Sequence, residues 1–326
     1  MASAQVASRA DLEASTFQRL HPRAYFERFI AEGYRPDGRK SDSWRDVSIN
    51  VGGKSFLLSD YRIHKSIYGE LIGSISTANG SALVRIGDST IVCGVKAEIA
   101  EPDLERPDQG FIVPNLDLPA ICSPKFRPGP PAEEAQMLSE KINDILVSTC
   151  AIDPKTLCIH PGKSAWVIYI DAVCINYDGN ILDATMLAVI VALQNATIPV
   201  ATYDPEAERT TCSRTETISL ALTHMPSTIS FGVFNRYFLV ARSSYHRAGT
   251  QNFSRTHLLS DPSSFEEPLL DATITVIVDI ASNTLGGVNQ IGFSAPEADL
   301  ETVTQRAMTR SKVLAEILIQ SKAELS

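Results

Sequence analysis

The chain has 326 residues, of which 44% are hydrophobic and 21% are charged, as in a globular protein with one large domain or two modest ones. Its formal net charge is −9, with 29 basic residues, whereas proteins that bind nucleic acid mainly by counterion release usually carry a basic excess. A generally basic nucleic-acid binder is therefore excluded, and any RNA contact requires a local basic patch or basic partners.

Cysteine and histidine are dispersed. The six cysteines form no CxxC pair, and the six histidines form no ligand cluster, so the sequence predicts neither a disulfide framework, nor a metal site, nor another cofactor. The most apolar segment, 181–193, contains Asp183 and is shorter than the roughly 20 apolar residues of a membrane span. It predicts a buried helix, and we expect no membrane contact.

The N-terminal region predicts a flexible tail followed by a helix and a turn. Residues 1–15 are small and polar, and we place the end of the tail segment at residue 23. Apolar residues at helical spacing predict a helix that ends at Gly33. The Pro/Gly turn RPDGR, 35–39, then leads to an alternating strand over 44–52.

The middle of the chain predicts a β-meander and two helices. From Gly73 onward, apolar alternation is interrupted by two turn signals, Asn79-Gly80 and Gly87-Asp88. Prolines concentrate in 101–131, which predicts a loop. Further elements predicted before residue 200 are a helix over 132–149, strands in 156–162 and 164–177, and a buried helix over 181–195.

The second half repeats this theme without visible sequence identity. Its predicted elements are strands near 215–222, 227–234, 236–241, 272–280 and 285–292, then a helix over 297–322. Strands followed by a helix, twice, predict an α+β fold of two halves, 24–200 and 201–326, that share one layered core.

Four segments, in this order, resemble the RNase PH family, and most closely its non-catalytic ring subunits in the RNA exosome. They are RPDGR, GSISTANGSALVRIGDSTIVCGVKAEI, RPGPPAEEAQMLSEKI and LCIHPGKSAWVIYIDAVCINYDGNILDATMLAVIVAL. The resemblance covers 24–52, 73–240 and 261–320. RPDGR alone is unspecific, but the ordered set is specific. It implies duplicated RNase PH-type βαβ halves, a ribosomal-protein-like two-layer fold with sheets packed on helices, and a six-subunit ring that threads single-stranded RNA.

The resemblance also implies which positions hold the catalytic residues in active members of the family. Active members cleave RNA from its 3′ end with inorganic phosphate, using arginines at a helix start and a carboxylate for proton transfer or metal binding. Here Glu133 and Glu134 stand where those arginines belong, and they would repel phosphate. Thr273 stands at the aspartate position. Asp271 lies two residues earlier and would serve only if the alignment slips by two. No catalytic residue is therefore predicted.

Three basic residues are RNA-binding candidates. Lys125 and Arg127 lie in the loop before the acidic helix start, which the resemblance places near the pore or the cleft between subunits. Alternatively, Arg127 pairs with Glu133 or with an acid of a neighbouring subunit. Lys163 follows Gly162 and is either an RNA contact or a surface residue at a strand start.

Two segments, 53–72 and 242–260, interrupt joins that are direct in relatives. Both are relatively basic; their basic residues are Lys54, Arg62, His64, Lys65, Arg242, His246, Arg247, Arg255 and His257. They are either added RNA-binding loops or solvent-exposed insertions and gene-prediction artefacts. We favour the second explanation, because long loops cost little entropy.

The sequence thus favours a catalytically inactive exosome ring subunit for RNA processing and decay. The resemblance implies RNase PH-type ring partners, cap subunits and single-stranded RNA, in the nucleus, nucleolus and cytoplasm. The alternative is a phosphate-dependent 3′–5′ exoribonuclease, active alone or in a composite site. A metabolic α+β enzyme is a third hypothesis, but no Gly-rich nucleotide loop supports it.

Overall fold

The computed structural model describes residues 9–51, 54–59, 62–65, 75, 77–239, 252–294 and 296–323. The helices are α1 (Arg9–Leu20), α2 (Pro22–Ala31), α3 (Glu133–Ser148), α4 (Ile181–Gln194) and α5 (Glu297–Ala323), with short 3-10 turns at Pro154–Leu157 and Glu267–Leu269. The strands are β1 (Val47–Val51), β2 (Lys54–Ser59), β3 (Arg62–Lys65), β4 (Gly80–Ile86), β5 (Ser89–Ala100), β6 (Phe111–Asp117), β7 (Cys158–His160), β8 (Ser164–Asn176), β9 (Thr197–Asp204), β10 (Arg209–Ser219), β11 (Pro226–Leu239), β12 (Asn252–Ser260), β13 (Ala272–Asp279) and β14 (Thr284–Gly292).

The first half is built on one large sheet with the strand order β3-β2-β1-β4-β5-β8-β6, and β7 also pairs with β8. Neighbours are antiparallel except β6 and β8, which are parallel. Side chains alternate between a buried and a more open face, so that Ala82 and Val84 of β4 lie in the core. Helix α3 packs against β6.

Helix α4 lies between the two halves. Its sequence, ILDATMLAVIVALQ, is apolar on nearly every side, as expected for a helix that packs on two surfaces. It contacts β4 and β5 of the large sheet and β11 of the second sheet. Gly80 permits a close approach, because a Cβ atom there would lie 2.4 Å from the carbonyl oxygen of Ala192. Helix α4 therefore provides a core that both halves share.

The second half contains a four-stranded antiparallel sheet with the order β12-β11-β13-β14. Its two faces pack on different helices. On one face, Phe231 and Ile274 form a core with Val303 and Ala307 of α5. On the other face, the Ser230 hydroxyl donates a hydrogen bond of 2.8 Å to Asp183 of α4. Strands β9 and β10 form a separate two-stranded sheet.

The α+β fold is confirmed, and the helices predicted over 132–149, 181–195 and 297–322 are confirmed within one residue at each end. The tail prediction for 1–23 was wrong in extent, because α1 begins at Arg9 and α2 at Pro22. The N-terminal residues before Arg9 lie outside the described part.

Three predictions for loops and strands need correction. The loop predicted over 101–131 contains β6, which pairs in parallel with β8 despite Pro114. The strands predicted at 227–234 and 236–241 are one continuous strand, β11. The boundary between halves at residue 200 falls inside β9. An apolar run and its turn signals do not by themselves show such pairings.

The segments 53–72 and 242–260 were expected to be loops, but parts of both form strands; their assignment as insertions stays a prediction. Strands β2 and β3 extend the edge of the large sheet, and β12 pairs with β11. Leu259 and Ser260, at the end of β12, are fully buried. Arg242, His246 and Arg247 lie outside the described residues, as do the side chains of Lys54, Arg62, His64, Lys65 and Arg255; His257 pairs with Phe234 across the sheet.

Among the described helices, none is both long enough and apolar enough to cross a membrane.

Candidate functional site

The start of α3 is acidic. After the Pro/Gly-rich stretch 127–131, the helix begins with Glu133 and Glu134 in its first turn. The N-cap residue, Ala132, provides no side-chain cap, so the free N–H groups face two carboxylates on their own helix. A helix start of this kind favours negative charge, and here the protein's own side chains supply it.

Lys125 neutralises one of these carboxylates. Its Nζ lies 2.6 Å from Glu134 Oε2. The ammonium also lies 5.1 Å from the ring centroid of Tyr177 and 5.4 Å from that of Phe126, within the range of cation–π contacts. This RNA-binding candidate is therefore already engaged by an acid and two aromatic rings.

Tyr177 connects the helix start to the second half. Its hydroxyl oxygen lies 2.8 Å from Glu267 Oε2 and 3.2 Å from Glu134 Oε1. Burial raises the pKa of Tyr177, and the charge of Glu267 raises it further. The phenol therefore stays protonated and donates to the carboxylates. We call Lys125, Glu134, Tyr177 and Glu267 the acidic site.

Glu267 belongs to the acidic pair that the sequence retains. Burial raises its pKa, and the charge of Glu134 adds to the effect, against hydrogen bonds from the Asn180 N–H and the Tyr177 hydroxyl. The Asn180 N–H donates to Glu267 Oε1 at 2.7 Å. Two carboxylates with one half-exposed lysine make this a poor place for phosphate.

The adjacent Glu266 has a different environment. It is buried and forms an ion pair with the buried Arg35, whose Nε donates to Glu266 Oε1 at 2.7 Å. Arg35 also donates to the carbonyl oxygens of Ser260 and Asp261, at 2.6 and 2.9 Å. The first arginine of RPDGR thus fixes the chain that leads from β12 to the acidic pair.

Asp261 is the second centre of this network. Arg45 Nη2 donates to its Oδ1 at 2.7 Å, and Arg45 Nε donates to Oδ2 at 2.8 Å. Burial disfavours its ionisation, but Arg45, assisted by Arg39 and Asn180, holds the pKa of Asp261 below its usual range. We call Arg35, Arg45, Asp261 and Glu266 the buried arginine network. This network was not predicted, although RPDGR was its visible signal in the sequence.

Asp271 and Thr273 lie away from these contacts. Arg23 of α2 forms an ion pair with Asp271 at 3.2 Å, and the Asn235 N–H donates to the same carboxylate at 2.8 Å. Thr273 lies within β13, opposite Gly232 of β11 and Ile291 of β14. The structure therefore brings Glu134 and Glu267 together, whereas it gives Asp271 a separate cationic partner.

The other charged candidates are exposed. Arg127, Glu133 and Lys163 have no ion pair within the described part of the chain, so the pairing considered for Arg127 and Glu133 is not formed there. Lys163 follows the left-handed Gly162 in the turn between β7 and β8. In the described residues, no group of three or more His, Cys, Asp or Glu side chains is arranged to hold a metal ion.

Comparisons with known proteins identify the family of this chain. Residues 67–199 match the model of the 3′ exoribonuclease family, domain 1. The exosome complex component rrp43 of Schizosaccharomyces pombe is 34% identical over 269 residues, covering 82% of this chain and 84% of the relative. The exosome complex component Rrp42 of Thermococcus kodakarensis is 31% identical over 250 residues, covering 77% and 76%.

Solved structures extend the comparison. A chain of the Archaeoglobus fulgidus exosome with RNA bound to the active site superposes with a TM-score of 0.68 at 25% identity, covering 94% of this chain and 99% of that one. A chain of an archaeal exosome core superposes with a TM-score of 0.65 at 23% identity and shows the same fold. The chain therefore belongs to the RNase PH family, among the RNase PH-type subunits of exosome rings.

Proposed function

We propose that this chain is a catalytically inactive ring subunit of an exosome. It supports ring assembly and the threading of single-stranded RNA for 3′–5′ processing and degradation, including rRNA maturation and the decay of mRNA and noncoding RNA. Its partners are other RNase PH-type ring subunits and cap subunits, and its locations are the nucleus, nucleolus and cytoplasm. The relatives, which are exosome components, support this assignment.

One observation supports the proposed lack of catalytic activity. Glu134 occupies the helix start where active relatives are expected to hold phosphate with arginine, and it is neutralised from within the chain by Lys125 at 2.6 Å. Phosphate carries close to two negative charges at neutral pH and would meet Glu134 and Glu267 instead of guanidinium groups. The acidic site keeps the two halves in contact through Tyr177 but offers no cationic cradle.

The proposed RNA contact in the same loop is the exposed residue Arg127. Arg127 projects from the Pro/Gly-rich stretch before α3 without an ion pair in the described region. It can contact backbone phosphates without reading sequence. Lys125, which is engaged by Glu134, contributes less.

A second candidate is a phosphate-dependent 3′–5′ exoribonuclease, alone or in a composite site. Asp271 favours it, because this carboxylate survives beside the degenerate Thr273 and is held by Arg23 and Asn235. A neighbouring subunit could then supply the arginines that this chain lacks.

Phosphorolysis separates the two functions. The full chain, alone and co-purified with the ring subunits it assembles with, is incubated with 3′-labelled single-stranded RNA, with and without phosphate at roughly 10 mM, a concentration above most enzyme KM values. We expect no phosphate-dependent nucleoside diphosphate from the chain alone, and a rate in the ring that is unchanged by Asp271→Ala.

Charge reversal is the matched control. The double variant Glu133→Arg/Glu134→Arg should remain inactive, since Thr273 still lacks a carboxylate. Phosphate-dependent release that Asp271→Ala abolishes would overturn the inactive-subunit proposal and identify Asp271 as the working acid. Failure of the chain to co-purify with ring subunits would overturn its proposed role in ring assembly.

A further inference from the structure

Cys122 and Cys174 form a pair of buried thiols next to the acidic site. Cys122 lies in the loop between β6 and α3, and Cys174 lies near the end of β8, 52 residues later in the chain. Both side chains belong to the main hydrophobic core, both thiols are free, and the two are hydrogen-bonded to each other. A loop and a strand that are distant in sequence therefore meet through two sulfur atoms.

The backbone around Cys122 holds this contact in place. The Tyr177 N–H, three residues after Cys174, donates to the Cys122 carbonyl oxygen at 3.1 Å, and the Cys122 N–H donates to the Pro119 carbonyl oxygen at 3.0 Å. Phe126, in the same loop, packs against the Tyr177 ring at 5.4 Å between ring centroids. The loop before α3 is thus fixed to the end of β8, and the two sulfur atoms remain neighbours.

The two thiols differ in acidity. Burial raises the pKa of both. The hydrogen bond with Cys174 lowers the pKa of Cys122 against this effect, whereas the charge of Cys122 and the same hydrogen bond raise the pKa of Cys174 further. Cys122 is therefore the thiol that ionises first, and Cys174 lies beside it as the second sulfur of a thiol pair.

Cys122 lies only one residue from the surface. The side chain of Ile121 is 83% exposed, and Ser123 is partly exposed, although Cys122 between them is buried. Hydrogen peroxide is close in size to water, so a small shift of this turn admits it to the Cys122 sulfur. Burial makes the reaction slower than at an exposed thiol but does not prevent it.

We propose that Cys122 and Cys174 are a peroxide-sensitive modification site that converts between a dithiol and a disulfide. The Cys122 sulfur attacks one oxygen of hydrogen peroxide and the O–O bond breaks, which gives a sulfenic acid and one water. The Cys174 sulfur then attacks the sulfenic sulfur to form the S–S bond, and the displaced hydroxyl leaves with the Cys174 proton as a second water. Two thiols lose two electrons in total, and the peroxide gains them.

The disulfide would tie the loop that carries Lys125 and Arg127 covalently to β8. A thiol reductant would release it by thiol–disulfide exchange, so the modification is reversible. The inference uses only the contact between the two thiols and neither the acidic site nor the family assignment. Its failure would therefore leave the proposed function unchanged.

Peroxide oxidation of the full chain tests the proposal. The background variant Cys150→Ser/Cys212→Ser is used, because it removes the two exposed thiols. The folded protein, checked by circular dichroism, is treated with hydrogen peroxide, quenched with catalase, alkylated in urea and digested for mass mapping. We expect two fewer alkylated thiols and a linked peptide that joins Cys122 to Cys174 and is separated by a phosphine reductant.

Two further variants in this background sharpen the test. Cys174→Ala should give no linked peptide and should accumulate a Cys122 sulfenic acid that dimedone traps. Cys93→Ala is the matched control, because Cys93 is also fully buried but its raised pKa is caused by burial and Asp171 and by neither of these sulfurs. It should leave the yield of linked peptide unchanged.

Three results would each overturn the proposal. They are the absence of the linked peptide from the folded chain, its formation only after the protein is unfolded in urea, and an equal yield of a peptide that joins Cys93 to Cys174.

Discussion

Glu266 and Glu267 are neighbours in sequence with opposite environments. Glu266 is buried and paired with the buried Arg35, which also binds two backbone carbonyls. Glu267 meets a tyrosine hydroxyl, a backbone N–H and a second carboxylate, and its pKa is raised. Glu266 therefore has a guanidinium partner, whereas burial disfavours the ionised form of Glu267.

This difference shows that the residues that stabilise the fold are distinct from those of the acidic site. The buried arginine network keeps RPDGR in contact with the segment after β12, and this contact is independent of phosphate. The acidic site lies one residue away and holds two carboxylates beside one lysine. Under the proposed function, a subunit without a phosphate site keeps the contact between its halves, because different side chains serve the two tasks.

The largest expected effect tests the network. Arg35→Met should lower the free energy of unfolding by about 3–5 kcal/mol, because it leaves the Glu266 carboxylate and two carbonyls buried without their partner. Urea unfolding measures the loss. The control Arg85→Met breaks an exposed pair with Asp88 and should change stability by about 0.5 kcal/mol or less. Equal denaturation midpoints for the two variants would contradict the contrast.

The second prediction uses pH. The pKa of Asp261 is held below its ordinary value of 3.8, so the stability it contributes is present above that value and is lost as the pH falls. The pKa of Glu267 is raised above 4.5, so its contribution is complete below pH 4.5 and is lost as the pH rises.

Two isosteric variants should therefore show opposite slopes. Asp261→Asn should cost about 3 kcal/mol at pH 7 and less in acid. Glu267→Gln should cost most near pH 4 and stay within about 1 kcal/mol of the wild type at pH 7. Unfolding at several pH values measures both, and parallel profiles would contradict the opposite assignments.

A third prediction compares the two cations of the loop before α3. Arg127→Gln should weaken single-stranded RNA binding by the assembled ring and reduce the slope of log K against log salt by roughly 0.7, the value of one phosphate contact. Lys125→Gln should have a smaller effect, because Glu134 already neutralises the ammonium. Fluorescence anisotropy across a salt series measures both, and a larger loss for Lys125→Gln would reverse the assignment.

The smallest effect concerns the stability of the acidic site. Lys125→Gln should lower the free energy of unfolding by about 1 kcal/mol or less, because the pair with Glu134 is half-exposed and screened by salt. A double-mutant cycle with Glu134→Gln at low and high salt isolates the pair. A coupling energy that does not depend on salt would show a more deeply buried pair than the structure indicates.

Local patterns in the sequence predicted the helices well. Apolar spacing and the prolines before Glu133 predicted α3, and a mostly apolar segment that contains Asp183 predicted α4. Strand β6 was missed because its parallel pairing with β8 is non-local and Pro114 argues against a strand. Strand β12 was missed because its pairing with β11 overrides a polar composition.

The site was predicted in part. Placing Glu133 and Glu134 at a helix start required only the local sequence, and the structure confirms that position. The partner of Glu134 was not predictable from spacing alone, since Lys125 and Arg127 are both near in sequence and only the fold selects Lys125. Tyr177 and Arg35 were missed for a similar reason, because their partners lie 90 and 231 residues away.

The separation between Arg35 and Glu266 also bears on how the chain folds during synthesis. Ribosomes add about 5–20 residues per second, so the 231 residues between these partners take roughly 10 to 50 seconds to appear. Throughout that interval the RPDGR turn is without the carboxylate that it later contacts. The first half of a nascent chain must therefore wait for nearly the last strands before its N-terminal turn is fixed, and a chaperone that shields this turn would act during that interval.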